Sequence, residues 1–167
     1  SLSASKDNWG GFSPFPKLLI CGAGHVGQKL FKVTKTLDFD LKIIDDREEL
    51  KFDIPELTLG NFKDILTKER IDGNTYIVIV TRGHLLDEEV LNLVKNRGAK
   101  YIGIIGSRRK ITTLKENLEK VGKIEDNIYA PIGLKLSNGT PEEIAIEILA
   151  EILKIKNNGE LIHRTII

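Results

Sequence analysis

From Lys17 onward, short runs of consecutive apolar residues alternate with longer segments in which apolar residues recur every three or four positions. The short runs are typical of buried strands, and the longer spacing is typical of helices with one apolar face. Strands that alternate with helices favour a single α/β domain, a Rossmann-like doubly wound parallel sheet with helices on both faces. Strands are predicted at Lys17–Cys21, Leu41–Ile44, Thr75–Val80, Tyr101–Ile105 and Ile128–Ala130, with a weaker one near Leu57–Leu59.

For two helices, the sequence predicts which face is buried. The first follows a glycine cluster, and the stripe predicted to pack on the sheet consists of Val26, Leu30, Val33 and Leu37. The last begins with a capping box of Thr140, Pro141 and Glu143. Its polar stripe is narrow and consists of Glu143, Glu147, Glu151 and Lys154. Since a helix on one sheet needs an apolar arc of only about 100°, this helix is either buried more deeply in the domain or lies at an interface. From the second alternative we expect a homo-oligomer formed through it.

The ends of the chain lack such patterns. Residues 1–16 are rich in Ser, Gly and Pro and predict a flexible N-terminal tail or linker. The Rossmann-like domain is expected at 17–156, and a C-terminal tail at 157–167. The chain contains no methionine, not even an initiator. We therefore expect that its start has been processed or that it was cut from a longer protein, and that it works with a partner.

Composition narrows the class of protein. With 41% hydrophobic residues in 167, the chain can build one ordinary core. Its 25 Lys and Arg against 24 Asp and Glu leave a net charge of +1, so no overall field attracts nucleic acid or an anionic membrane. No apolar run approaches the roughly 18 residues of a membrane span. We expect a soluble, cytoplasmic protein whose one cysteine, Cys21, is a buried strand residue rather than a reactive thiol.

The segment GAGHVG matches the glycine pattern of dinucleotide-binding turns, follows a predicted strand and opens a helix. Gly22 would allow the tight turn, Gly24 would let a diphosphate approach the backbone, and Gly27 would let the helix pack closely on the strand. Asp45, at the end of the second strand, would accept bonds from the ribose hydroxyls of NAD or another adenine nucleotide, while Arg47 leaves NADP open. The alternative is an inherited turn that binds no nucleotide.

Two of the three histidines follow neighbouring strands. His25 comes after the first strand and His84 after the fourth, so both are expected in one cleft at the switch point of the sheet. Thr81 belongs to the same candidate site. Asp87 would orient His84 or cap the following helix, and we favour the cap. Two histidines and a carboxylate suit a metal, but without the tight ligand spacing of known motifs we assign no metal site.

A second candidate anion site follows the fifth strand in the segment GSRRK. A small hydroxyl and three cations at a helix start bring N–H groups, an O–H and guanidinium groups together. We predict that Ser107 and Arg108 contact a phosphate, while Arg109 and Lys110 face solvent. The alternative is a solvated basic surface.

Six segments together resemble the Rossmann domain of the XdhC/CoxI family, the xanthine dehydrogenase accessory factors, over Lys17 to Ile155. They read GAGHVG, IIDDRE, TRGHLLDEEVL, YIGIIGSRRK, APIGL and TPEEIAIEILAEI. The resemblance implies an accessory factor rather than a catalyst. Such a factor binds the molybdenum cofactor (molybdopterin), protects it during sulfuration by a cysteine desulfurase, and delivers it to a molybdenum hydroxylase. It leaves the catalytic residues unassigned. The candidate cofactor-binding residues are then Gly22, Gly24, His25, Gly27, Asp45, Thr81, His84, Ser107 and Arg108.

The chain departs from that family in two respects. Many relatives read T-H-G-H after the fourth strand, where this chain has Arg82, and many carry an additional N-terminal domain. Two other functions stay open. One is an NAD(P)-dependent oxidoreductase with His84 as proton donor. The other is a nucleotide-sensing Rossmann module like the regulatory domains of potassium transporters, which share the GAGHVG turn and the terminal acid.

Overall fold

The computed structural model describes residues 14–167, so most of the predicted N-terminal tail lies outside the described residues. Its centre is a six-stranded parallel sheet in the order β3-β2-β1-β4-β5-β6. This order places β1 beside β4 at the centre, with the direction of winding reversing between them. The strands are β1 Lys17–Cys21, β2 Asp40–Asp45, β3 Thr58–Leu59, β4 Thr75–Ile79, β5 Tyr101–Ile104 and β6 Ile128–Tyr129.

Five helices cover the two faces of the sheet, which confirms the predicted fold class. Helices α1 and α5 pack on one face, and α2, α3 and α4 pack on the other. A 3₁₀ turn at Glu48–Lys51 follows β2. The helices are α1 His25–Thr34, α2 Phe62–Lys68, α3 His84–Val94, α4 Arg108–Val121 and α5 Pro141–Asn157.

The alternation of side chains along a strand divides the core into two layers. In β1, Leu18 and Ile20 face α1 and α5, whereas Leu19 and Cys21 face α2 and α3. All four are fully buried. Because both faces are covered, each central strand is a continuous apolar run, which is the pattern that located the strands in the sequence.

Most helix starts follow the local chemistry of the sequence. Thr140 Oγ1 accepts a bond from the Glu143 N–H, as the capping box predicts, and Ser107 Oγ accepts one from the Lys110 N–H at the start of α4. The apolar stripe of α1 packs against the core, but the helix ends at Thr34, so its last predicted member, Leu37, lies beyond the helix.

Glu151 was expected on the polar stripe of α5 and is instead buried. Its Oε1 accepts bonds from Tyr101 Oη at 2.7 Å and from the Gly133 N–H at 3.0 Å. Burial, with the charge of Glu151 beside it, raises the pKa of Tyr101 and keeps the phenol a donor. One residue of the polar stripe therefore has a role inside the domain, because Glu151 connects α5 to β5 and to the segment after β6.

The wide apolar arc of α5 is explained largely within the chain. Ala145, Ile148 and Ile152 are fully buried against α1 and the sheet, and Ile146 is 48% exposed. The predicted homo-oligomer stays a prediction. No helix among residues 14–167 is long and apolar enough to cross a membrane.

Candidate functional site

The glycine-rich turn leads from β1 into α1 and has the geometry that its sequence predicts. Gly22 has a φ of +118°, and a Cβ there would collide with the Val80 carbonyl. A Cβ on Gly27 would collide with the Gly22 carbonyl, so α1 can approach the turn this closely only without a side chain there. Gly24 differs, because among residues 14–167 a Cβ there would meet only Arg47 Nη2, at 3.8 Å. The backbone at Gly24 is therefore open to a ligand.

Asp45 lies beside this turn with only 1% of its surface exposed. Its Oδ2 accepts bonds from the Ala23 N–H at 2.8 Å and Arg47 Nη2 at 3.0 Å, and its Oδ1 accepts two from the Arg47 N–H and Nε. Burial alone would raise the pKa of Asp45, but the bonds from Arg47 and Ala23 lower it below its usual value. This carboxylate already braces the turn and orients Arg47.

The segments after β2 and β4 are joined by an ion pair between Asp46 and Arg82. The guanidinium binds both carboxylate oxygens, with 3.0 Å between Nη2 and Oδ2. Because β1 lies between β2 and β4, this pair bridges the carboxyl end of β1. Arg82, the residue that departs from the resembled family, therefore has a partner within the chain.

The two histidines begin helices on opposite faces of the sheet. His25 is the first residue of α1 and His84 the first residue of α3, and both are exposed. Although β1 and β4 are neighbours, α1 and α3 leave them toward opposite faces of the sheet. His84 lines a cavity on the α3 face and His25 is not among its lining residues, so the expectation that both share one cleft at the switch point stays a prediction.

This cavity, about 420 Å³ in volume, lies between α3 and α4 at the carboxyl ends of β4 and β5. Apolar side chains from β5 and α4 form much of its wall, and polar and charged side chains contribute the rest. A cleft of this size and mixed character is typical of small-molecule sites. Its lining residues are His84, Asp87, Glu88, Ile104, Ile105, Ser107, Arg109, Lys110, Ile111, Thr113, Leu114 and Asn117.

Asp87 neither caps α3 nor hydrogen-bonds to His84. It lies in the first turn of α3, where its Oδ1 accepts bonds from the Thr81 N–H at 2.9 Å and Thr81 Oγ1 at 2.6 Å. The helix start at Gly83 has no side-chain cap. Burial raises the pKa of Asp87, and the bonds from Thr81 only partly oppose this. Thr81, a predicted site residue, therefore holds a carboxylate that lines the cavity.

The basic segment at the start of α4 is exposed throughout, but its members differ in position. Ser107 lines the cavity, as predicted, whereas Arg108 does not. Arg109 and Lys110 are exposed, as predicted, and they also form part of the lining. Successive side chains of a helix point about 100° apart, so Arg108 points in a different direction from Arg109 and Lys110.

The described residues contain no grouping of side chains that supports the alternative of a metal site. Among residues 14–167, no three His, Cys, Asp or Glu side chains are grouped so that they could hold an ion. Cys21 is fully buried, and this burial, with the charges of Glu69 and Asp87, raises its pKa, as expected of an unreactive thiol.

Three features of the site were missed from the sequence. These are the lining role of Arg109 and Lys110, the bonds of Asp87 to Thr81 in place of a cap, and the ion pair between Asp46 and Arg82. Helical spacing carried a signal for Lys110, because it lies three residues after the predicted site residue Ser107 and so shares a face with it. The ion pair spans 36 positions, and no local pattern predicts such a contact.

Comparison with known proteins agrees with this structure. Residues 18–152 match the family model described as the XdhC Rossmann domain. The chain is 33% identical over 153 residues to the uncharacterized protein YqeB of Escherichia coli K12, in a match that covers 86% of this chain and 28% of YqeB. It is 24% identical over 148 residues to a probable xanthine dehydrogenase subunit of Bacillus subtilis 168, covering 86% of this chain and 44% of that protein.

Among solved structures, a xanthine dehydrogenase (BH1974) from Bacillus halodurans aligns with a TM-score of 0.77 and 28% identity. The alignment covers 90% of this chain and 45% of the Bacillus halodurans chain. The chain thus spans less than half the length of these relatives. Because the family model covers most of the sequence, from β1 into α5, the chain belongs to the XdhC family and forms its Rossmann domain.

Proposed function

We propose that this chain is the cofactor-binding part of an XdhC-type accessory protein. In this role it holds the molybdenum cofactor while the cofactor is sulfurated, and then passes it to a xanthine dehydrogenase-type molybdenum hydroxylase. The family match and the relatives named as xanthine dehydrogenases support the enzyme partner. The observation that carries the binding step is the cavity between α3 and α4, which combines cations with an apolar wall.

The side chains around this cavity suit molybdopterin, which has an anionic phosphate at one end and a flat pterin ring at the other. The volume of about 420 Å³ falls within the range of about 300–1,000 Å³ of small-molecule sites. Arg109 and Lys110 are donors suited to phosphate. Ile104, Ile111 and Leu114 offer an apolar surface for the ring. The cofactor would supply the molybdenum centre, and the chain would bind and orient it.

The partners in this proposal follow from the family. A cysteine desulfurase would supply sulfur to the bound cofactor, and the hydroxylase would receive it, with all three proteins in the cytoplasm. The proposal includes a homo-oligomer formed through α5. Arg109 and Lys110, rather than Arg108, provide the phosphate contact in this account.

The test is binding of molybdopterin by the purified chain, with molybdenum and phosphorus content measured after expression in a host that makes the cofactor. Combined replacement of Arg109→Ala and Lys110→Ala should weaken binding at least about tenfold, because hydrogen bonds to charged groups contribute about 1.5–3 kcal/mol. Lys120→Ala, which removes an exposed cation from the last turn of the same helix, is the matched control. Unchanged affinity in the double variant would contradict the site, and loss in Arg108→Ala alone would move the contact to Arg108.

We propose a second binding function at the glycine-rich turn, which would take the diphosphate of an adenine dinucleotide. The open backbone at Gly24 supports it, and so does the Arg47 guanidinium beside it. Calorimetry with NAD, NADH, NADP, ATP and AMP should detect saturable binding of a dinucleotide. The absence of a binding signal with all five nucleotides would contradict this second function. The same samples test the oxidoreductase alternative, which requires turnover of NADH with a carbonyl compound.

A further inference from the structure

Only one of the two carboxylate oxygens of Asp87 accepts hydrogen bonds from the described residues. The residue is 7% exposed, and both of its hydrogen bonds, from the Thr81 N–H and hydroxyl, fall on Oδ1. Among residues 14–167, no donor is bonded to Oδ2. Because Asp87 also lines the cavity between α3 and α4, this oxygen is available to a molecule that enters it.

Asp87 is largely buried, while its Oδ2 is not among the fully enclosed atoms without a partner and is therefore open to the cavity. Burying most of a carboxylate costs free energy, and a purely structural role does not account for that cost well. The nearby charges of Lys110 and His84 favour the ionised form, yet neither side chain forms a hydrogen bond with it. An asparagine at this position would keep the bond with Thr81 and avoid the cost. The charge is therefore better explained by a ligand.

We propose that Asp87 Oδ2 binds the N–H donors on the ring edge of the cavity's ligand, which in the proposed function are the 2-amino group and N3–H of a pterin. This inference rests on the proposed function and adds the group that selects the ring. Thr81 acts as a positioning residue, because its two bonds hold Oδ1 and orient the other oxygen. With Arg109 and Lys110 in the lining, the cavity offers one acceptor for the ring edge and cations for the phosphate.

The selectivity that follows is specific to one atom of the ligand. A pteridine with oxygen in place of the 2-amino group keeps N3–H but presents a carbonyl acceptor where the amino group would donate. Asp87 then loses one of its two donors and faces a carbonyl oxygen that repels it, so the site should bind such an analogue less tightly. The chain should therefore bind neopterin monophosphate at least about tenfold more tightly than its 2-oxo analogue.

The experiment measures the affinity of both compounds, by quenching of their fluorescence, for the wild-type chain and three variants. Asp87→Asn should lose the preference, because its amide can donate to the 2-oxo analogue. Thr81→Val keeps the carboxylate but loses one of its two bonds, so the preference should shrink less. Glu89→Gln removes an exposed carboxylate from the same helix outside the cavity and should leave the preference unchanged.

Each outcome separates this inference from the proposed function. If the wild-type chain binds neither compound nor molybdopterin, the proposed function fails. If it binds both compounds equally, or if Asp87→Asn keeps the wild-type preference, Asp87 does not read the ring and the inference is overturned while the cavity remains the binding site. Thermal unfolding of each variant shows whether a lost preference reflects misfolding, which Asp87→Asn should not cause.

Discussion

Two buried aspartates near the glycine turn and the cavity have opposite pKa shifts. Asp45 is 1% exposed and Asp87 is 7% exposed, so burial opposes the charge of both. Asp45 receives a bidentate guanidinium and two backbone N–H bonds, which lower its pKa. Asp87 receives both of its bonds from Thr81, and burial dominates and raises its pKa. The number and charge of the donors, rather than depth, decides the result.

The raised pKa of Asp87 makes a prediction about stability. A carboxyl group with a higher pKa in the folded chain than in the unfolded chain has no effect on the free energy of unfolding below about pH 4, the usual pKa of Asp. As the pH rises from there through the pKa of the folded chain, the free energy of unfolding falls. Asp87→Asn, which has no charge to bury, should therefore unfold at a higher temperature than wild type near pH 8. The difference should vanish toward pH 4.

Thermal unfolding followed by circular dichroism across this pH range checks the prediction. Charged groups around Asp87 include Lys110, Arg109 and Glu88 in the cavity lining. Because the imidazole of His84 also lines the cavity, the comparison is repeated in a His84→Gln background. A variant that is less stable at every pH would contradict the account and give Asp87 a structural role.

At the scale of elements, the direction in which each helix leaves the sheet separates residues that strand order brings close. The ends of β1 and β4 are adjacent, yet α1 and α3 cover opposite faces. In the proposals above, the turn before α1 and the cavity beside α3 are two separate binding sites, and Thr81 lies between them. A Cβ on Gly22 would lie 2.9 Å from the Thr81 Cα, and the Thr81 hydroxyl bonds to Asp87.

The close approach of α1 to the turn predicts that two neighbouring glycines respond differently to one methyl group. Gly27→Ala should destabilise the chain by about 1–3 kcal/mol or more, because its Cβ meets the Gly22 carbonyl and α1 must move outward. Gly24→Ala is the matched control and should cost well under about 1 kcal/mol, since its Cβ meets only the end of Arg47. Urea unfolding measures both, and equal losses would contradict the assigned roles.

The Gly24→Ala variant also separates an effect on nucleotide binding from an effect on stability. If a dinucleotide occupies the turn, Gly24→Ala should weaken its binding without unfolding the chain, because the methyl group lies where the diphosphate approaches. Calorimetry with the best nucleotide of the panel gives the readout. Unchanged affinity would remove Gly24 from that site.

At the scale of the whole molecule, α5 connects several parts of the fold. Its glutamates bind the segment after β6, through Glu151 to Gly133 and through Glu147 to the N–H groups of Leu136 and Ser137. Its apolar residues pack on α1 and on the sheet. The helix therefore holds the last strand, the segment after it and α1 together, which accounts for its broad apolar arc.

The predicted homo-oligomer can be tested at the exposed part of that arc. Ile146 is 48% exposed on α5. If α5 forms a subunit interface, the wild-type chain should sediment as an oligomer, and Ile146→Glu should dissociate at concentrations at least about tenfold higher, because a charge would be buried without a partner. Lys32→Glu, on the exposed side of α1, is the control. A monomeric wild type would contradict the prediction.

The sequence by itself determined the strands, the fold class, the tight turn at Gly22, the close packing at Gly27 and the cap at Thr140. It could do so because these features depend on residues a few positions apart: apolar period, turn conformation and capping bonds are local. Even there, the exact ends escaped it, since α1 ends at Thr34 before the last residue of its stripe.

Only the tertiary structure decided which candidate residues meet. It placed His84, Arg109 and Lys110 in the lining of the cavity beside α3, buried Glu151 against Tyr101 and paired Asp46 with Arg82. Each of these results depends on the face toward which a helix packs or on a contact between residues 36 or 50 positions apart. Such contacts follow from the packing of the whole core around the sheet, which no local pattern of residues contains.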